Sequence, residues 1–160
     1  MTIEIIPAYP YPEEVRKLFT EYTSLLIAGD PEFQQYLQIQ NYDEEIAHLE
    51  HKYGAPAGRL YLALAEGSVA GCIALRKLDD ERCEMKRLYV RPEYQGQGIG
   101  RQLTERILSD ACSIGYRQIL LDTFPFLEQA ITMYRHMGFR EIPRYNDSPM
   151  DSTIYMGLEI

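Results

Sequence analysis

Apolar side chains recur at every third or fourth position through Val15, Leu18, Phe19, Tyr22, Leu25 and Leu26, the spacing of one helix face. That spacing predicts a helix over residues 13–28, opened by Glu13 and Glu14, whose negative charge suits a helix N-terminus. Ahead of it, residues 2–6 alternate as a strand, and Pro7, Pro10 and Pro12 keep the intervening chain extended. The break Gly29-Asp30-Pro31 predicts a second helical region with Asp30 as N-cap and Pro31 at its first position, interrupted near Asn41 and resumed to Tyr53. Gly54-Ala55-Pro56-Ala57-Gly58 ends it.

From there the apolar period shortens. Residues 59–65, 69–78 and 82–90 read as three strands of an antiparallel meander, joined by short turns at Glu66-Gly67-Ser68 and Asp79-Asp80. Residues 98–114 form a helix with Leu103, Ile107 and Leu108 on one face, stopped by Gly115. A strand over 118–122, a helix over 127–137 and two closing strands over 139–143 and 153–159 complete the order β-α-α-β-β-β-α-β-α-β-β. This predicts a single domain over residues 1–160: an α/β fold with a mixed, mostly antiparallel sheet of about seven strands and helices on both faces.

Between the third meander strand and its helix lies Arg91-Pro92-Glu93-Tyr94-Gln95-Gly96-Gln97-Gly98-Ile99-Gly100-Arg101. Glycine tolerates positive φ and lets a ligand approach the backbone, and a helix N-terminus offers unpaired N–H groups to an anion. A pyrophosphate seat is the chemistry this loop suits. It is not the dinucleotide fingerprint, which started from Gly96 would need glycine where Arg101 stands. It is not a P-loop either, since no Gly-Lys-Ser/Thr follows.

Charge and cysteine content narrow the partners. A formal net charge of -8 over 160 residues argues against nucleic acid and anionic membranes, both of which demand a surplus of Lys and Arg. The three cysteines, Cys72, Cys83 and Cys112, form no C-x-x-C pair, and no apolar run approaches the roughly 20 residues of a membrane span, so a soluble cytoplasmic protein is expected. Cys72 and Cys83 sit in strands as small core residues, without a neighbouring histidine to make either a nucleophile. His48 and His51, near Glu44 and Glu45, lack a further spaced ligand cluster, and no metal is expected.

Gln95-x-x-Gly98-x-Gly100 after a strand resembles the acyl-CoA-binding signature Q/R-x-x-G-x-G/A of the GNAT N-acetyltransferase superfamily. Ala130-Ile131-Thr132-Met133-Tyr134-Arg135-His136-Met137-Gly138-Phe139 is similar to that family's later A-I-x-x-Y-x-x-x-G-F segment. The order of elements agrees over almost the whole chain. The resemblance implies a parallel pair of strands that splay apart near Val90 and Asp122. It implies acetyl-CoA as co-substrate, with its pyrophosphate on the amides of Gln97 to Arg101 in the loop formed by Gln95, Gly96, Gln97, Gly98, Ile99 and Gly100. The pantetheine arm would pair with Leu88, Tyr89 and Val90, with Ala130 and Tyr134 across from them. The implied activity is direct acetyl transfer to a primary amine of a small molecule or protein, in a ternary complex. A non-catalytic acyl-CoA-binding sensor or interaction module, and a nucleotide-binding regulatory domain, are the rivals. One departure from the family pattern is Leu127, where asparagine is common.

Two candidates carry the chemistry. By resemblance, Tyr134 would protonate the departing thiolate. Glu84 stands six residues before Val90, an even count that puts both on one strand face about 20 Å apart. It is a candidate base acting through water; with Lys86 and Arg87 it reads equally as a charged strand face. The resemblance gives acceptor selection to residues 28–40 and 144–152, with Asp30, Glu32, Phe33 and Tyr36 in one and Tyr145, Asp147 and Asp151 in the other. It also makes a homodimer through the last strands possible, near Tyr155 and Met156.

Overall fold

The computed structural model describes residues 2–160. Its elements run β1 (Ile3–Pro7), α1 (Pro12–Gly29), α2 (Phe33–Ile39), α3 (Tyr42–Ala47), α4 (Leu49–Tyr53), β2 (Arg59–Ala65), β3 (Ser68–Lys77), β4 (Arg82–Val90), α5 (Ile99–Ile114), β5 (Gln118–Thr123), α6 (Glu128–His136), β6 (Arg140–Glu141) and β7 (Ile154–Glu159). A seven-stranded sheet in the order β1-β2-β3-β4-β5-β7-β6 joins the strands, and only β4 and β5 run parallel. The mixed, mostly antiparallel α/β fold is the one the hydrophobic pattern predicts.

Three local expectations change. The second helical region breaks near Asn41 as expected, with that residue in the left-handed conformation (φ 56), but breaks again at His48, so that it forms three short helices. Asparagine is among the few residues that reach that region at little cost. Asp30 does not cap α2: its Oδ1 accepts the Glu32 N–H at 3.0 Å in a local turn, and the helix starts at Phe33. The strand expected over 139–143 shortens to the two residues of β6, since Pro143 brings no N–H for a ladder.

The sheet has two differently filled faces. On one, α5 lays Ile99, Leu103, Ile107 and Ala111 onto Ile73, Leu75, Cys83, Met85, Ile119, Leu121 and Met156, and each fully buried aliphatic is worth about 1.5–3 kcal/mol. On the other, Val15, Leu18 and Phe19 of α1 and Leu49 and Tyr53 of α4 cover Leu60, Leu62, Cys72, Ala74 and Tyr89. A third cluster joins Leu26, Phe33, Tyr36 and Leu37 to Phe124 and Met150, closing the helical layer over the end of β5.

Two irregularities in β4 create the site. Cys72 of β3 pairs with Tyr89 and Ala74 with Lys86, so Ile73 opposes both Arg87 and Leu88: a bulge, with Arg87 at φ 60. Beyond it the strand leaves its parallel neighbour. Only Arg82, Cys83 and Glu84 pair with β5, at Gln118, Ile119 and Leu120, and the two strands then splay toward Val90 and Asp122. The bulge also corrects the face assignment of Glu84. One extra residue inverts the alternation, so Val90 and Leu88 pack toward α5 while Tyr89 joins the face beneath α1 and α4. Glu84 lies on that second face, opposite to Val90. Among the described residues no helix is long and apolar enough to cross a membrane.

Candidate active site

At the end of β4 the chain turns through a short helical turn at Pro92–Tyr94 and enters the glycine loop. Gly96 and Gly98 have φ of 80 and 79, the left-handed conformation that side chains disfavour, and Gly98 is the residue capping α5. No side chain caps this helix. The first intrahelical bond runs from the Gln102 N–H to the Gly98 carbonyl at 3.1 Å, so the N–H groups of Ile99, Gly100 and Arg101 are left for a ligand. Gly100 contributes space: a Cβ there would meet only Val90 Cγ2, at 3.8 Å, and would stand over the helix end. Gln95 donates from Nε2 to the Val90 carbonyl at 3.1 Å, tying the loop to the strand. Arg101 is exposed and paired to Glu105 at 2.8 Å, one turn along α5. These groups fit a diphosphate: backbone donors converge at the positive end of a 16-residue helix.

The splayed strands lead from this loop to a small cavity of about 30 Å³. Met85, Lys86, Arg87 and Leu88 of β4, Leu121 and Asp122 of β5, Phe124, Tyr134 of α6, Tyr22 and Leu26 of α1, Phe33 and Gln40 line it. Arg91 N–H bonds to the Ala70 carbonyl at 2.8 Å. By strand alternation the Val90 N–H therefore points to the open edge, toward the gap. Tyr134 is 6 % exposed, packs on Phe139 with ring centroids 5.6 Å apart, and its phenol has no hydrogen-bond partner among the described residues. Burial pushes its pKa up, so the proton stays on the phenol. Ala130, one helical turn earlier, is half-buried and packs against the same cluster.

Glu84 stands elsewhere. Its Oε1 accepts from Arg76 Nε at 2.7 Å and its Oε2 from the Tyr145 hydroxyl; it is 2 % exposed and does not line the cavity. Desolvation opposes its charge, yet Lys86, Arg76 and the hydrogen bonds hold its carboxyl below the ordinary range. Next to it, Arg87 is clamped by Glu45, Nε to Oε2 at 2.9 Å and an Nη to Oε1 at 3.0 Å, and Lys52 reaches the same carboxylate at 2.9 Å. Lys86 donates to Gln40 Oε1 at 2.8 Å, and burial lowers its pKa to about 8.

Asp122 is the site residue that reading the sequence missed, except as the end of a strand. Its Oδ2 takes hydrogen bonds from the Tyr36 hydroxyl of α2 and from Asn146 Nδ2 at 2.9 Å, while Oδ1 accepts none from the described residues. Tyr155 in turn donates to Asn146 Oδ1 at 2.9 Å. The two acceptor segments named from the resemblance therefore do meet, over Asp122. Phe33 and Tyr36 come from one and Tyr145 and Asn146 from the other. Asp147 and Asp151 stay exposed, and Asp30 and Glu32 serve a turn.

Away from the cavity, His48 and His51 stack at 4.8 Å, and Glu50 joins them in an exposed group whose ligand atoms lie within 4.8 Å of one another. Cys72 and Cys83 are buried, with thiol pKa values pushed up to about 12, and Cys112 is exposed. A concavity of about 730 Å³ lies beside β6 and β7 between Arg82, Gln118, Arg140 and Glu159, away from the glycine loop.

A free strand edge running into a glycine-capped helix N-terminus suits a long, phosphate-bearing ligand laid along one side of a cleft. The chain belongs to the acetyltransferase (GNAT) family, whose model matches residues 13–139, and it is an N-acetyltransferase by that membership. It is 38% identical over 131 residues to an uncharacterized N-acetyltransferase of Schizosaccharomyces pombe, covering 81% of this chain and 80% of that protein. An Azospirillum brasilense protein named IAA acetyltransferase is 38% identical over 88 residues, 54% of this chain and 57% of its own length. Among solved structures, the PaiA N-acetyltransferase of Thermoplasma acidophilum in complex with coenzyme A superposes with a TM-score of 0.76 at 20% identity, over all of both chains. A GNAT acetyltransferase of Elizabethkingia anophelis with acetyl-CoA bound does so at 0.62 and 24%, over 99% of this chain and 98% of that one. At those identities the two structures bear on the fold.

Proposed function

We propose that this protein transfers an acetyl group from acetyl-CoA directly to a primary amine within a ternary complex. The observation that carries the reading is the continuity of the open β4 edge with the uncapped end of α5 on one side and a tyrosine-lined cavity on the other. The amides of Gln97 to Arg101 would hold the pyrophosphate, and the backbone of Leu88 to Val90 would pair with the pantetheine arm. The Val90 N–H then faces the thioester carbonyl, where one well-aligned donor contributes about 3 kcal/mol of transition-state stabilisation. Tyr134 supplies a proton to the departing thiolate; its neutral phenol in a buried site is suited to give one only as charge develops on sulfur.

Direct transfer is favoured over an acyl-enzyme because Cys72 and Cys83, on their buried strand faces, are held as thiols. Glu84 is better read as a positioning residue that fixes Arg76 and Tyr145 than as the base. Calorimetry with acetyl-CoA, CoA and NAD tests the donor, and free-thiol release across a panel of amines tests the reaction. Heat with acetyl-CoA but no amine-dependent thiol would leave a sensor in place of an enzyme.

A further inference from the structure

The acceptor side of the cavity holds an unbalanced cation. Among the described residues, the buried or half-buried charged side chains around this part of β3, β4 and β5 and the helices over it are Arg76, Lys86, Arg87 and Lys52 against Glu84, Glu45 and Asp122, while Arg91, farther along β4, balances Glu21 of α1. Arg87 and Lys52 share Glu45, and Arg76 has Glu84. Lys86, its side chain 6 % exposed, hydrogen-bonds no carboxylate at all. The nearest, Glu84 Oε1, is 3.9 Å away and already held by Arg76. Its one hydrogen bond goes to the neutral Gln40 Oε1, an oxygen it shares with an Arg87 Nη at 2.7 Å. An ammonium has three donors, and a buried one whose counter-charges are shared or out of hydrogen-bond reach is costly. Lys86 therefore stands on the cavity wall with donors and charge to spare, and Asp122, whose Oδ1 accepts no hydrogen bond from the described residues, lines the same cavity.

Resting on the N-acetyltransferase reading, we propose that the acceptor is a small amino acid-like molecule carrying a carboxylate beside its amine. Lys86 Nζ holds the carboxylate and Asp122 Oδ1 receives the ammonium. The cavity of about 30 Å³ is too small for such a molecule as it stands. Entry releases the hydrogen bonds from Tyr36 and Asn146 that tie α2 and the β6–β7 loop to Asp122. In the transfer the bound ammonium gives one proton to Asp122 Oδ1, which passes it to solvent. The freed nitrogen pair forms the C–N bond, the C–S bond breaks, and its electron pair leaves with sulfur. The sulfur takes a proton from Tyr134, which is restored by the second proton lost from nitrogen. The depressed basicity of Lys86 agrees with a site built to gain an anion, since a bound carboxylate would restore it.

Matched acceptors decide the matter on the wild-type protein. Initial rates of thiol release from acetyl-CoA are compared for α-, β- and γ-amino acids, their carboxamides and the amines lacking the carboxylate. A charge-assisted contact predicts a preference in kcat/KM for the amino acid of roughly tenfold to hundredfold. Lys86→Met should collapse that ratio toward unity, with acetyl-CoA calorimetry confirming that the variant is folded. Carboxamides or plain amines turned over as well as the acids would overturn the inference and leave the transferase reading standing. So would a Lys86→Met variant that lowers both members of a pair equally. Thiol release with no member of the panel would contradict the transferase reading itself, and this inference with it. Asp122→Asn sharpens the second half. Its Oδ1 can keep both bonds from Tyr36 and Asn146, so a roughly hundredfold fall in kcat assigns the loss to the proton acceptor and not to the tether.

Discussion

The two ends of this cleft are made of different material. The glycine loop is backbone: Gly96, Gly98 and the uncapped first turn of α5 offer N–H groups from one short stretch of chain. The acceptor cavity is side chain: Lys86, Arg87, Asp122, Gln40, Phe33 and Tyr134 arrive from β4, β5, α2 with the residue that caps it, and α6. On the proposed reading, the backbone seat recognises a feature common to every turnover, the diphosphate of the donor. Side chains drawn from several elements, carrying buried charge of both signs, define what else is admitted. The cost of the second kind of site is borne by packing elsewhere, chiefly the α5 face, which has no charge to bury.

The sharpest way to break this contrast is at Arg87. Removing it as Arg87→Met leaves Glu45, 2 % exposed, without its main partner, and urea unfolding should show a loss of about 3–5 kcal/mol. Tyr134→Phe tests the chemistry between the two ends: kcat should fall by roughly 10²-fold while the calorimetric affinity for acetyl-CoA moves far less. Gly98→Val tests the backbone end. Its φ of 79 opposes any β-branched residue, so acetyl-CoA affinity should drop by roughly tenfold or more and stability by about 1–3 kcal/mol.

Lys86→Met tests whether the acceptor end is maintained against stability. Lys86 has a folded pKa of about 8 against 10.5 for the free group, so between those values the unfolded chain binds the extra proton. Wild-type stability should therefore rise with pH across that window from this group, and below it the buried ammonium is a cost. Without acceptor, the methionine variant should be the more stable at pH 7, by about 1 kcal/mol or more, with that rise removed. Chemical denaturation at pH 7 and at the alkaline end of the window reads both. Arg101→Ala should do least. Its exposed pair with Glu105 predicts a stability change under about 0.5 kcal/mol by the same method.

The same contrast explains what was legible in the sequence. Gln95, Gly98 and Gly100 announce their loop because a positive φ and an uncapped helix leave a local pattern, and the period of three and four marks α1 and α5 as plainly. The bulge at Arg87 leaves none. It comes from how β4 lies against β3, and by adding one residue it turns Glu84 to the face opposite Val90, where counting by twos had put both on one face. Asp122 could be read only as the end of a strand, because its partners Tyr36 and Asn146 lie 86 and 24 residues away. One cue is in the sequence: three charged residues within four positions, Glu84, Lys86 and Arg87, in a strand whose other residues beyond Arg82 are apolar. Only the helices α2 to α4, whose boundaries the pattern placed loosely, show what those charges face.

The central claim is that donor and acceptor meet in one cleft and react without an enzyme-bound acyl group. Initial rates of thiol release with acetyl-CoA and one accepted amine both varied test it most directly. Intersecting double-reciprocal lines are predicted, as a ternary complex requires. Parallel lines, with an acetylated enzyme trapped in the absence of amine, would contradict the account.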